Sequence, residues 1–279
     1  MSGAACVVMI NYTERIALLM QDVVCRTPAL SFIDLREVLV FGRFGRPDAE
    51  GAFATCHCLT LPESEPGYFF WRDRTTGQLT RRSEWFVTRS PEVRIAGRRV
   101  KYLISFSLPR FCDQALERSR KAALYTDSTP GWVAKLDTIV HELYHIDPDE
   151  TGIRRVERAD GTDSPTSHGP GFYEAVARMV TAYLASGPDP SLYDFLEHDF
   201  AGLNERFGGV VATTFRNFPS YPQRYMVPQL GLPADPCVKL EPLKRLSQPA
   251  LYTEADLHVR QFTGERTRRL VRKGRHQAA

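Results

Sequence analysis

The chain has 279 residues, of which 43% are hydrophobic and 25% charged, and these fractions are typical of globular proteins. No uncharged apolar run approaches the roughly 18 to 20 residues that a bilayer requires, so the sequence excludes a transmembrane helix and a membrane partner. The formal net charge of +3 is too small to indicate a partner, but from residue 239 onward ten Lys/Arg stand against four Asp/Glu, which makes the C-terminal tail basic.

The N-terminal region predicts a cytoplasmic protein that begins with an amphipathic helix. Residues 4–10 are apolar, but no basic segment precedes them, so a secretion signal is not expected. The six cysteines are scattered without a CxxC pair, which indicates reduced thiols. The first helix is predicted from apolar residues at the spacing i, i+3, i+4, i+7 and i+8, namely Ile16, Leu19, Met20, Val23 and Val24.

Strand-like segments separated by Gly, Pro and charged turns follow. They cover residues 37–41, 52–61, 68–71, 84–88 and 100–107. Apolar and other residues alternate in the last segment, so the sequence predicts a small, mostly antiparallel sheet with one covered face. Cys56 and Cys58 face one side of their strand and His57 the other, which favours a strand interior over a metal site.

The next predicted element is a helix over residues 132–146. Thr129 and Pro130 have the character of an N-cap and a first helical residue, and Pro148 disfavours helical geometry at Asp147. The helix contains HELYH at residues 141–145, an HExxH pattern. Residues four apart on a helix lie about 40° apart in projection, so His141 and His145 are predicted to bind one metal ion.

Glu142 follows the first histidine directly and is predicted to be the general base. Zinc lowers the pKa of a bound water from about 15.7 to about 7, and a neighbouring carboxylate can accept its proton and pass it to a leaving amine. Both histidines fall on the flank of the apolar stripe of this helix, so we expect them to face a cleft.

A polar segment over residues 147–167 leads to another predicted helix, whose apolar stripe is Phe172, Ala175, Val176, Met179, Val180, Tyr183 and Leu184. His168 is the leading candidate for the third zinc ligand, because in a helix extended backward it would share the face of Phe172. Glu174, Asp160 and Asp163 remain alternatives. Arg154, Arg155 and Tyr173 are candidates for stabilising an oxyanion at the cleft mouth.

The pattern weakens beyond Gly187, where six prolines between residues 219 and 242 punctuate short apolar pieces. This composition predicts a Pro-rich C-terminal extension that ends in a basic helix or tail. The predicted organisation is therefore a catalytic domain over residues 1–205 and an extension over residues 206–279.

HELYH, followed after some twenty residues by His-Gly and a Phe-containing helix (HGxxF), resembles the SprT-like and phage-type zinc metallopeptidases in layout over roughly residues 12–186. The resemblance implies an α+β, compact zincin-like fold with His141, His145 and His168 as zinc ligands and Glu142 as the catalytic acid/base. SprT-like proteins often end in a cysteine zinc ribbon, whereas the C-terminal region here carries the single Cys237.

The sequence thus predicts a zinc-dependent metallopeptidase that takes an extended polypeptide against the edge of its sheet. The alternative is a nucleic-acid-associated binding protein, in which the basic tail is primary and the zinc site structural or vestigial. Glu142 favours the enzyme, since a structural site needs closed coordination and has no use for a water-activating carboxylate. A metallohydrolase acting on a non-peptide amide remains a third possibility.

Overall fold

The computed structural model describes residues 9–46, 51–60, 66–67, 70–73, 75–76, 78–83, 86–89, 91–149, 152–154, 168–215, 223–225, 239–241 and 251–263. Within these ranges the chain is α+β, with four α-helices and several small sheets, as the coarse fold prediction had it. None of the helices in the described ranges is long and apolar enough to cross a membrane.

The α-helices are α1 (Tyr12–Arg26), α2 (Val133–Tyr144), α3 (Pro170–Ala185) and α4 (Phe200–Phe207). The strands are β1 (Ile10–Asn11), β2 (Val38–Gly45), β3 (Ala54–Cys58), β4 (Pro66–Gly67), β5 (Phe70–Arg72), β6 (Leu79–Ser83), β7 (Phe86–Arg89), β8 (Glu92–Ile95), β9 (Arg98–Arg99), β10 (Tyr102–Pro109), β11 (Val210–Phe215), β12 (Gln223–Tyr225), β13 (Lys239–Glu241), β14 (Leu251–Tyr252) and β15 (Leu257–Phe262). Short 3₁₀ helices connect several of them.

The predicted N-terminal helix is confirmed as α1, which begins four residues earlier than its apolar pattern. The side chain of Asn11 accepts a hydrogen bond from the backbone N–H of Glu14 and so caps the first turn. The whole predicted stripe from Ile16 to Val24 is buried in the main hydrophobic core. Periodicity alone therefore identified the face of this helix, while the cap set where the helix starts.

The central sheet has the order β2-β10-β3, and all eight residues of β10 are buried. β10 pairs with β2 in parallel and with β3 antiparallel, so this sheet is mixed rather than mostly antiparallel. After β2 the chain forms β3 and other strands before it returns as β10, which runs in the same direction as β2. The alternation of apolar residues does not predict whether two strands pair in parallel or antiparallel. Cys56 and His57 lie inside β3, so the predicted strand interior is confirmed.

Helix α2 runs through the core and is buried almost all round. A buried polar side chain needs hydrogen-bond partners, and Lys135 of this helix has them. Its Nζ donates to the carbonyl oxygens of Leu196 and His198, at 2.8 and 2.7 Å. The N-cap predicted at Thr129 is wrong, since α2 begins at Val133 with Trp132 as its cap residue. Carbonyls of residues 130–132 accept hydrogen bonds from the first three helical N–H groups, which makes this segment a preceding turn.

The predicted C-terminal extension contributes strands to the described structure. β11 lies between β1 and β15, and its first residue, Val210, is paired with Ile10 of β1 on one side and with Phe262 of β15 on the other. Residues of the extension therefore pair with the N-terminal segment. The boundary between residues 205 and 206 stays a prediction, and the basic segment at residues 264–279 lies outside the described residues.

Candidate metal centre

Three histidines from two elements meet at one point. His141 lies in the last turn of α2, His145 is the C-cap residue of that helix, and His168 stands two residues before α3. Their Nε2 atoms form a nearly equilateral triangle, with distances of 3.1 Å between His141 and His145 and 3.0 Å from His168 to each of the others. Among the described residues these three are the group whose ligand atoms could hold a metal ion.

The triangle fits a tetrahedral zinc ion. Zinc with Zn–N distances of about 2.0 to 2.1 Å holds its nitrogen ligands about 3.3 Å apart, only a few tenths of an ångström more than the separations here. Hydrogen bonds do not satisfy the three nitrogens equally well, because a neutral imidazole Nε2 either donates or accepts, and one N–H points at only one partner. A cation in contact with all three lone pairs satisfies them at once.

The surroundings of the three imidazoles favour the neutral form that a metal requires. Burial, reinforced by the nearby ammonium of Lys121, lowers the pKa of His141 to about 2. Burial first, and then the charges of His168 and Lys121, lower the pKa of His145 to about 3. The pKa of His168 is lowered by the same two causes as that of His141. Neutral imidazole is the form that ligates zinc, so the site disfavours the competing proton.

Packing orients the rings. The buried ring of Phe172 lies 5.0, 4.8 and 5.1 Å, centroid to centroid, from the rings of His141, His145 and His168. Within the described residues no hydrogen-bond partner reaches the buried Nδ1 atoms of His141 and His145, the atoms through which ligating histidines are usually oriented. Phe172, the ring that contacts all three imidazoles, therefore contributes to the orientation of the triad.

Phe172→Leu is expected to weaken zinc binding roughly tenfold, the lower end of the effect of removing a group that orients metal ligands. Leucine retains most of the buried apolar volume but cannot contact three imidazole rings at once. A chromophoric chelator competing for zinc measures the change, and Phe207→Leu, at a half-buried position outside the triad, is the matched control. An unchanged zinc affinity would show that the rings are oriented without Phe172.

Arg154 contacts the C-terminal end of α2 beside His145. The backbone N–H of Arg154 donates to the carbonyl oxygen of His145 and its Nε to that of Tyr144, both at 2.8 Å. The guanidinium also lies 4.3 Å over the ring of Tyr144. These contacts make Arg154 a cap of the helix, and its role as an oxyanion group stays a prediction. Arg155, the second arginine predicted for that role, lies outside the described residues.

Glu142 is buried, with 5% of its surface exposed, and lies on the wall of the cleft that contains the triad. Burial raises its pKa to about 8, while the backbone N–H of Cys56 and the charges of Lys121 and Arg43 act in the opposite direction. The carboxylate is thus more basic than an exposed one and points toward the edge of β3. Its ionised form can accept a proton, and the Cys56 N–H and the charges of Lys121 and Arg43 favour that form.

The cleft has a volume of about 1000 Å³. Its lining includes β3 with the residues just before it, the 3₁₀ helix Arg120–Leu124 and the three histidines. Tyr173 also lines the cleft, and its ring stacks on that of His168 at 5.5 Å and 10°. Lys121 was not predicted as a site residue, and Cys56 was assigned to a strand interior rather than to a site.

His168 reaches the centre by a route different from the predicted one. Pro170 is the first helical residue of α3 and Gly169 its extended cap, so His168 is not on a backward extension of the helix. From its position outside the helix, the imidazole of His168 lies over the ring of His141, at 5.0 Å and 21°. Glu174 lines the same cleft but does not belong to the triad, and Asp160 and Asp163 lie outside the described residues.

No protein-family model matches the chain, and neither the curated proteins nor the solved structures with which it was compared yield a match. The resemblance to SprT-like metallopeptidases thus stays a prediction that depends on HELYH and HGxxF. Function has to be inferred from the chemistry of the centre and its cleft.

Proposed function

We propose that the chain is a zinc-dependent metallopeptidase that hydrolyses peptide bonds in the cleft beside His141, His145 and His168. One observation carries the proposal: three Nε2 atoms about 3 Å apart converge next to the buried carboxylate of Glu142 at the wall of an open cleft. Three protein ligands with an open position are typical of catalytic zinc, whereas structural zinc closes its coordination with a fourth.

In the proposed reaction the three histidines hold the metal ion and Glu142 transfers the proton. When bound, zinc supplies Lewis acidity toward a water molecule and a substrate carbonyl. Glu142 accepts a proton from the attacking water and delivers it to the nitrogen of the leaving amine, so that the carboxylate is regenerated when the C–N bond breaks. The burial of Glu142 keeps bulk water from competing for that proton.

An extended polypeptide fits the edge of β3. The N–H of Leu59 donates to Lys101, and the carbonyl of Phe53 accepts from Ser107, so the odd-numbered residues of this segment direct their backbone groups at β10. Ala54 and Cys56 therefore direct theirs toward the other edge, where they line the cleft. Since β3 is the outer strand of the central sheet within the described ranges, a substrate can add to it as a further strand beside Ala54, while the N–H of Cys56 is directed at Glu142.

The proposed fold is correspondingly zincin-like. Helix α2 supplies two ligands and the base, the start of α3 supplies the third, and a sheet edge lies alongside. A buried carboxylate directly after the first ligand supports hydrolysis over a structural or vestigial zinc site. The alternative function in nucleic-acid binding depends on the basic segment beyond residue 263, and the cleft chemistry does not require it.

Zinc content and peptide hydrolysis test the proposal together. Protein expressed with ample zinc is expected to carry close to one zinc per chain by elemental analysis, and to cleave members of a quenched fluorescent peptide library. Removal of the metal with a chelator should abolish cleavage, and zinc should restore it. Absence of zinc would overturn the proposal, and cleavage of simple amides but not peptides would replace it with a non-peptide amidase.

A further inference from the structure

Lys121 lies on the cleft wall, held by a buried carboxylate. Its Nζ donates to Oδ1 of Asp137, whose side chain is 1% exposed, while the lysine side chain is 19% exposed. The hydroxyl of Tyr125 donates to Oδ2 of the same carboxylate at 2.6 Å. Asp137 thus holds the ammonium with one oxygen and is itself held through the other, which restricts a normally flexible side chain.

Helix α2 carries both Asp137, which holds the ammonium of Lys121, and His141 of the triad. Asp137 precedes His141 by four residues on α2, so the two side chains lie on one face, one turn apart. Lys121 Nζ lies 5.8 Å from the centroid of the Tyr173 ring, and that ring lies 5.8 Å from the ring of His141. The ammonium and the ring of His141 thus both lie against the ring of Tyr173.

Lys121 lines the same cleft as His141, Glu142 and His168. An ammonium carries three N–H groups, and Asp137 is the acceptor that the described residues provide for it. Lys121 therefore keeps donor capacity for a group that enters the cleft.

We propose that Lys121 donates a hydrogen bond to the carbonyl oxygen of the scissile bond and stabilises the negative charge that develops there, with Asp137 and Tyr125 as positioning residues. The inference rests on the proposed hydrolase function. Lys121 keeps its proton throughout: the oxygen gains charge as water adds to the carbonyl carbon and loses it as the C–N bond breaks. A fixed cation in a partly desolvated cleft suits this task because it needs no reorganisation during the reaction.

The test compares zinc-loaded wild type with Lys121→Met, using kcat, KM and the affinity for a peptide with a phosphinate in place of the scissile amide. Loss of an oxyanion donor is expected to lower kcat by about 10²-fold with little change in KM. Affinity for the phosphinate, whose anionic oxygen imitates the developing charge, should fall in parallel. Affinity for zinc should be unchanged or higher, because a neighbouring cation is gone.

Two further variants keep the result interpretable. Lys101→Met removes a half-buried lysine that is ion-paired with Glu37 at 2.6 Å outside the cleft, and is expected to leave kcat and phosphinate affinity unchanged. Asp137→Asn, which frees the ammonium, should lower kcat less than Lys121→Met. A metal-binding defect in Lys121→Met, in place of the kcat defect, would indicate a purely structural lysine and overturn the inference.

The failures of the two proposals are distinguishable. If wild type cleaves peptides and Lys121→Met cleaves them equally well, only the role of Lys121 is overturned. If Tyr173→Phe loses as much kcat as Lys121→Met was expected to lose, while the lysine variant does not, the role belongs to the tyrosine hydroxyl. Wild type that neither cleaves peptides nor binds the phosphinate overturns both proposals.

Discussion

Glu142→Gln is expected to lower peptide hydrolysis by about 10²- to 10⁴-fold, the usual contribution of a positioned general base, while one zinc per chain remains bound. Glutamine has the same shape, so it fits the buried site, but its amide cannot accept a proton from water. The carboxylate is also not part of the histidine triad, so no zinc ligand is lost. Initial rates with a cleaved peptide measure the loss of hydrolysis, and elemental analysis of the same samples measures the zinc that remains bound.

Glu92→Gln is the control for this variant. Glu92 is exposed, paired with Arg94 at 2.6 Å, and lies outside the cleft, so activity and zinc content are expected to match those of wild type. Loss of zinc together with activity in Glu142→Gln would contradict the proposed role, because it would make the carboxylate a ligand. Retained activity would mean that another group accepts the proton.

His168→Ala is expected to abolish turnover and to weaken zinc binding by more than about 100-fold. This loss is larger than that from removing a group that only orients the ligands, which is about 10- to 100-fold. The variant leaves two imidazoles where catalytic zinc normally takes three protein ligands. His168 is exposed, so the apoprotein should keep its melting temperature, while the stabilisation that zinc gives to wild type should be lost. Chelator competition and thermal unfolding with and without zinc measure these effects.

Two variants separate His168 from its alternatives. Glu174→Ala is expected to retain zinc occupancy, because this exposed carboxylate lies on the cleft wall and not in the triad. His258→Ala, on β15, controls for the loss of an imidazole and should behave as wild type. If His168→Ala keeps its zinc and Glu174→Ala loses it, the third ligand is the glutamate and the predicted ligand set is wrong.

Local patterns predicted some elements well and others poorly. The apolar spacing of α1 identified its buried face because one surface of that helix packs on the core. Helix α2 is buried almost all round, so its apolar stripe did not show that Lys135 and Asp137 are also inside. β6 (LTRRS) was not predicted, because its polar sequence lacks the apolar alternation on which strand prediction depends.

The sequence by itself determined the pairing of His141 with His145 and the place of Glu142 beside them. Helical geometry alone puts residues four apart on one face, so no distant contact is needed for that part of the centre. The expectation that His168 joins them was made from the sequence, but its helical rationale was wrong, since Pro170 starts α3 only two residues later.

The tertiary structure alone decided the surroundings of the centre. The direction of β10 between β2 and β3, the approach of the Cys56 N–H to Glu142, and the ion pair between Lys121 and Asp137 all join residues far apart in the chain. Such contacts depend on how elements pack and leave no periodic signal, and the 3₁₀ helix of Lys121 is too short to have one. The three histidines of the proposed metal centre were therefore predicted from the sequence, whereas Lys121, the group proposed to stabilise the oxyanion, became visible only in the fold.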